Sequence, residues 1–151
     1  MGGYGGLSGK NKDKDGCYYD SGNNKVTDKN AIEVAEYYLK LGMYVVFLND
    51  KYSRPDLLVD YELLIEVKGV TSPNPSQISK QLKKASRQIE SEYSHVPEDK
   101  RLPAKIMLIL QQETFEIGYH AIFEGYKEAK RKNQVHFEVE FLFQGKVYTL
   151  D

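Results

Sequence analysis

The chain has 151 residues, of which 40% are hydrophobic and 28% charged, and this is the composition of one ordinary globular domain. Its 21 basic and 22 acidic residues leave a net charge of -1, which excludes a uniformly basic nucleic-acid binder but allows a local basic face. A single cysteine excludes an internal disulfide, and the absence of a long apolar run predicts that no segment crosses a membrane.

The first part of the chain differs in composition from the rest. Residues 1–28 are rich in Gly, Lys, Asp and Asn and lack apolar periodicity. Such a stretch buries too little apolar surface to offset the entropy of ordering it. We therefore expect residues 1–28 to be a flexible linker or arm, joined to a preceding domain, and residues 29–151 to be the folded domain.

The hydrophobic pattern predicts the elements of that domain. In chain order they are a helix over 29–41 that is capped by Asp28 and stopped by Gly42, a strand over 43–48, the strands DLLVD and ELLIEVK joined tightly at Asp60-Tyr61, a long helix over 76–93, a strongly apolar strand over 104–111, a helix over 121–132, and a terminal hairpin of VHFEVEFLF and KVYTL. This α-β-β-β-α-β-α-β-β order predicts the α/β (α+β) class, with one mixed sheet flanked by helices and with a C-terminal helix and β-hairpin.

Three ionisable residues fall within the apolar strands of RPDLLVDYELLIEVKG. Asp56 stands at the start of one strand, and Glu66 and Lys68 stand near the end of the next. Residues two apart on a strand share a face, so Glu66 and Lys68 point the same way. The tight turn between the strands should bring Asp56 beside Glu66. Two carboxylates are then expected to converge next to an ammonium group.

This arrangement suits metal-assisted phosphodiester hydrolysis. Magnesium takes oxygen ligands and typically only one or two carboxylates, and the carbonyl of Val67 could supply a further ligand. A bound metal polarises the phosphate and acidifies water, while a lysine orients or deprotonates that water or neutralises developing charge. The alternative is an ordinary solvated Glu-x-Lys pair on a strand face, which is common.

The motif resembles the signature of the PD-(D/E)xK nuclease superfamily. Pro55-Asp56 and Glu66-x-Lys68 correspond to its PD and ExK elements. The resemblance implies a restriction-endonuclease-like α-β-β-β-α-β core and a metal-dependent nuclease. It also implies an acidic metal ligand in the first helix, for which Glu33 is favoured and Glu36 is the alternate.

Three stretches, one of which contains this motif, resemble the C-terminal tRNA nuclease domain of contact-dependent growth inhibition toxins. They are EVAEYYLKLGMYVVF, PDLLVDYELLIEVKG and ISKQLKKASRQI. The resemblance spans residues 29–110. It implies metal ligation by Glu33, Asp56 and Glu66, water activation by Lys68, and a divalent cation, with Mg²⁺ favoured over Mn²⁺ or Zn²⁺. It also implies a cognate immunity protein as partner, delivery as the C-terminal part of a larger secreted or surface protein, and action in the cytoplasm of a target cell.

The long helix carries a polar face. Gln81, Lys84 and Gln88 repeat at helical spacing, with Lys80 and Arg87 nearby. This face either follows a phosphate backbone or is an ordinary solvated surface. We therefore expect a metal-dependent nuclease that cleaves tRNA rather than DNA. One alternative is a DNA endonuclease of the same fold, and another is a non-catalytic module that binds nucleic acid or protein.

Overall fold

The computed structural model describes residues 12–48, 54–111 and 115–150. Within them, helices and strands follow each other in the predicted order. Their bounds are α1 Lys29–Lys40, β1 Val45–Phe47, β2 Leu57–Val59, β3 Leu63–Val70, α2 Pro75–Tyr93, β4 Ala104–Leu110, α3 Phe115–Arg131, β5 Glu138–Phe143 and β6 Lys146–Leu150. A short 3₁₀ helix, Glu98–Lys100, lies between α2 and β4.

The strands form one mixed sheet, in the spatial order β1-β2-β3-β4-β5-β6. The central pairs β3–β4 and β4–β5 are parallel, and the outer pairs are antiparallel. Helices connect the parallel strands, because a parallel neighbour can be reached only by a crossover. The predicted α+β class with a mixed sheet and flanking helices is therefore confirmed.

Both faces of the sheet carry a hydrophobic core. Ile65 and Val67 of β3 belong to the cluster that contains the buried side chains of α1. Val70 belongs to the cluster formed with α2 and α3, and Leu64 packs near the end of α2. Side chains alternate along a strand. Glu66 and Lys68 therefore point from β3 toward the face covered by α2.

The helices begin at polar caps. Asp28 accepts hydrogen bonds from the backbone N–H groups of Asn30 and Ala31, and Asn74 accepts one from Ser76. These bonds satisfy donors that have no partner in the first turn of a helix. None of the described helices combines the length and the apolar character that a membrane span needs.

Helix α3 begins at Phe115, six residues before the predicted start, because its glycines weaken the local helix signal. The packing of α3 on α2 explains one of them. A Cβ atom at Gly125 would lie 2.8 Å from the Cβ of Ile78 and 2.8 Å from the carbonyl oxygen of Pro75. Glycine at this position allows the two helices to approach closely.

Part of the expected arm packs against the domain. Tyr18 is 5% exposed, and its ring centroid lies 5.1 Å from that of Phe47. The backbone N–H of Ser21 donates to the Phe47 carbonyl at 2.8 Å. One buried aromatic ring thus anchors this part of an otherwise polar segment. The division into an arm over residues 1–28 and a domain over 29–151 stays a prediction. Residues 1–11 of that expectation lie outside the described part of the chain.

Tyr18→Ala should lower the free energy of unfolding by roughly 3 kcal/mol, because it leaves a cavity beside Phe47. Tyr18→Phe is the matched control: it retains the ring and should stay within about 1 kcal/mol of the wild type. Urea denaturation of the two variants measures the difference. Equal midpoints for Tyr18→Ala and the wild type would show that the segment contributes nothing to the fold.

Candidate functional site

The pairing of β2 with β3 brings Asp56 and Glu66 together. Leu57 pairs with Ile65 in an antiparallel ladder, so Asp56, one residue earlier, lies opposite Glu66. The Val67 N–H donates to Asp56 Oδ2 at 2.8 Å, which fixes the Asp56 carboxylate at the end of this ladder. The loop between the strands is tight, with Asp60 in the left-handed region at φ 52°.

Lys68 completes the cluster. Its Nζ lies 3.2 Å from Glu66 Oε2, and the lysine side chain is 20% exposed. Glu66 and Lys68 share one face of β3, as the strand alternation predicts. The structure thus brings together three of the four residues that the motif and the resemblance single out for catalysis.

Glu66 is buried, with 1% of its surface exposed. Its Oε1 atom has no hydrogen-bond partner among the described residues. Burial raises the pKa of Glu66 to about 8, and the neighbouring Asp56 charge contributes in the same direction, while Lys68 opposes both. Burial also raises the pKa of Asp56, and the hydrogen bond from Val67 opposes that rise. Lys68 therefore offsets only part of the effect of burial and of the neighbouring carboxylate on the pKa of Glu66.

The carbonyl of Val67 points toward the edge of β3 that faces β2. The bonds from Leu64 N–H to Pro103 and from Gln111 N–H to the Val70 carbonyl show that even-numbered residues of β3 bond to β4. The N–H and C=O groups of one strand residue point to the same edge, so the Val67 carbonyl points to the edge of β3 on which Asp56 lies. Two carboxylates and a carbonyl form the all-oxygen donor set that hard divalent cations take.

Helix α2 contacts this region through two amide side chains. Gln81 Nε2 donates to the Gly69 carbonyl at 2.9 Å, and Gln88 Nε2 donates to the Arg54 carbonyl at 3.5 Å. The other residues predicted to contact nucleic acid on this helix, Lys80, Lys84 and Arg87, are exposed to solvent. Gln81 and Gln88 therefore hold the backbone near the acidic pair, and the charged side chains of the two lysines and the arginine face the solvent.

Glu33 is not brought to the acidic pair. It is exposed on α1 and, together with Glu36, lines a cavity of about 550 Å³ that extends toward the turn at Gly145. Ala31 instead lines the cavity that contains Asp56. Residues two apart on a helix point about 200° apart, so Glu33 points away from that cavity.

An acidic residue that does lie near Asp56 is Asp28, the N-cap of α1. Both line a cavity of about 500 Å³, and the Asp28 charge contributes to the raised pKa of Asp56. Sequence reasoning assigned Asp28 only to helix capping, and no signal in the motif distinguishes a cap from a site residue. The described residues hold no group of three or more His, Cys, Asp or Glu side chains suited to a metal, so Asp56 and Glu66 stand as a pair.

Comparison of the chain with protein-family models, with curated proteins and with solved structures gave no match. The chemistry of the site is therefore argued from its own geometry. That geometry is a pair of carboxylates, buried at Glu66 and half-buried at Asp56, at the end of a two-stranded ladder, with an ammonium group at 3.2 Å and an exposed basic helix beside it.

Glu66 should make the metal-free protein less stable as the pH rises. Its pKa is about 8 in the folded protein against an ordinary value of 4.5, so between these values the folded protein holds a proton that the unfolded chain has lost. The free energy of unfolding therefore falls as the pH rises through this window.

Glu66→Gln removes that titration and should weaken the pH dependence. Denaturation midpoints measured in a chelator at about pH 5 and about pH 8, the ends of the linkage window, test this for both proteins. An equally steep loss of stability in Glu66→Gln would show that other groups cause it.

Proposed function

We propose that this protein is a metal-dependent nuclease of the PD-(D/E)xK type. The observation that carries the proposal is the buried Glu66 carboxylate beside Asp56: none of the described residues forms a hydrogen bond with its Oε1, and Lys68 Nζ lies 3.2 Å from its Oε2. The element order over α1 to β4 supports it, because an α-β-β-β-α-β core with the acids on its second and third strands is what the resemblance implies.

Electrostatics argue that this cluster serves chemistry rather than stability. Burying a carboxylate costs free energy unless it is paired and hydrogen-bonded, and two adjacent carboxylates repel each other. One ammonium group offsets only part of that cost. Ionisable groups gathered at such a cost, with raised pKa values, are characteristic of functional sites.

A divalent cation fits the donor set, and we propose Mg²⁺, with Mn²⁺ or Zn²⁺ as alternatives. Asp56, Glu66 and the Val67 carbonyl would hold it. When bound, the cation would polarise the scissile phosphate and lower the pKa of water. The unpartnered Oε1 of Glu66 would gain the ligand that the described residues do not provide.

Lys68 has the reactive role among the protein's own groups. Its Nζ is held beside Glu66 and remains partly exposed, so it can reach a bound phosphodiester. There it would orient the attacking water through a hydrogen bond and neutralise charge that develops on the phosphate oxygens. Asp56 and Glu66 hold their positions on rigid strands, which preserves the alignment that hydrolysis requires.

We propose RNA, and tRNA in particular, as the substrate. The exposed Lys80, Lys84 and Arg87 of α2 provide a local basic face that can follow a phosphate backbone despite the net charge of -1. The preference for tRNA over DNA rests on the resemblance to toxin nuclease domains. So do a cognate immunity protein that covers the site, delivery as part of a larger secreted or surface protein, and action in the cytoplasm of a target cell.

Incubation of the protein with tRNA and with plasmid DNA, each with and without Mg²⁺, tests the activity. We expect cleavage of tRNA that requires the metal. Asp56→Asn and Lys68→Ala should each lower the rate at least about a hundredfold, the usual size of a lost electrostatic contribution. Asn at position 56 retains an oxygen that accepts the Val67 N–H, so the fold should persist.

Lys146→Ala serves as the matched lysine control, because Lys146 is exposed on β6, at the far edge of the sheet from β1 and β2. It should cleave at the wild-type rate. Cleavage of plasmid DNA alone would favour the DNA endonuclease. Wild-type rates in Asp56→Asn would refute the proposed mechanism, and folded wild-type protein that cleaves neither substrate would favour a binding module.

Divalent cations should stabilise the wild type. A cation that binds only the folded state raises the free energy of unfolding by about 2.7 kcal/mol at a concentration one hundred times the Kd. Thermal unfolding with and without Mg²⁺ or Mn²⁺ measures this effect. Glu66→Gln should lose most of the response, because it removes one of the two negative charges that attract the cation. An identical rise in the melting temperature of Glu66→Gln would place the cation elsewhere.

A further inference from the structure

Three amide side chains meet around Gly69, the residue that follows Lys68. Gln81 Nε2 of α2 donates to the Gly69 carbonyl at 2.9 Å. Gln111 Nε2, just after β4, donates to Asn30 Oδ1 of α1 at 2.8 Å. The backbone N–H of Gln111 donates to the Val70 carbonyl at 3.1 Å. The ends of β3 and β4 and the first turn of α1 are thus joined at one place.

The side chain of Asn30 lies directly against Gly69. A Cβ atom at position 69 would stand 2.6 Å from Asn30 Nδ2 and 3.4 Å from Gln111 Nε2. Real Cβ atoms essentially never approach a heavy atom as closely as the first of these distances, so a side chain at position 69 would have to displace the Asn30 amide. The hydrogen bond from Gln111 holds the Asn30 amide in this contact.

These contacts hold the backbone on both sides of Lys68. The preceding residue, Val67, donates its N–H to Asp56. The following residue, Gly69, is held through its carbonyl by Gln81 and packed against Asn30. The ion pair with Glu66 at 3.2 Å holds the Lys68 ammonium group at one end of the side chain, and the held backbone fixes the other end.

We propose that Asn30 and Gln111 are positioning residues for Lys68. They touch neither the carboxylates nor the ammonium group. They act through Gly69, by pressing the first turn of α1 onto the end of β3. The reactive part of this inference rests on the proposed nuclease function, and the structural part does not.

The test is a size-complementation cycle built from Gly69→Ala, Asn30→Ala and the double variant. Gly69→Ala forces the Asn30 amide away and should lower kcat about a hundredfold, the effect of a displacement of roughly 1 Å at a reacting group. Asn30→Ala makes room for the added methyl group. The double variant should therefore be faster than Gly69→Ala, at the level of Asn30→Ala alone.

Gln111→Ala removes the bond that holds Asn30 and provides a second route to the same contact. It should lower kcat about as much as Asn30→Ala, and the two losses should not add, because residues that share one contact are coupled. In all these variants the KM for the RNA and the Kd for Mn²⁺ should stay at wild-type values. A merely structural contact would instead lower the melting temperature and leave kcat per folded molecule unchanged.

Backbone amide NMR separates this inference from the proposed function. The Lys68 N–H shift should move in Gly69→Ala and return toward its Asn30→Ala position in the double variant, whether or not the protein cleaves RNA. If the Lys68 shift changes in this way but the protein does not cleave RNA, the proposed nuclease function is wrong and the positioning role stands. Unmoved Lys68 shifts, or a double variant slower than both single variants in the folded state, would overturn the positioning role.

Discussion

The antiparallel pairing of β2 with β3 is the constraint on which the site depends. Its register places Asp56 opposite Glu66, and the Val67 N–H closes the ladder on the Asp56 carboxylate. A shift of one residue in this register would turn every side chain of β2 to the other face. The packing of Leu57 and Val59 in the α1 core opposes that shift, because the shift would remove both residues from that core.

The buried acids are tolerated because the surrounding core is extensive. Glu66 lies on β3 between residues that belong to packed clusters on the face covered by α2. That packing excludes water, which raises the pKa of Glu66 and strengthens its interaction with Lys68. The property that makes the pair costly for folding therefore also makes it responsive to a cation and to a phosphate.

The central strands run parallel, so their ends and the starts of nearby helices gather at one side of the sheet. Gly69 on β3, Gln111 after β4 and Asn30 at the start of α1 meet there. Asp28, the cap of α1, lines the cavity that contains Asp56. Polar residues at the start of α1 thus lie near the site, and the buried residues of that helix pack in the hydrophobic core.

The sequence by itself determined the order of the elements and the shared face of Glu66 and Lys68, because periodicity and strand alternation are local properties of a chain. The tertiary structure decided which helical acid lies near Asp56: the motif favours Glu33, whereas the rotation of α1 brings Asp28 there. It also decided that Tyr18 joins the core and that three amides surround Gly69. These contacts join residues that are distant in the chain, and no local pattern encodes the distances between them.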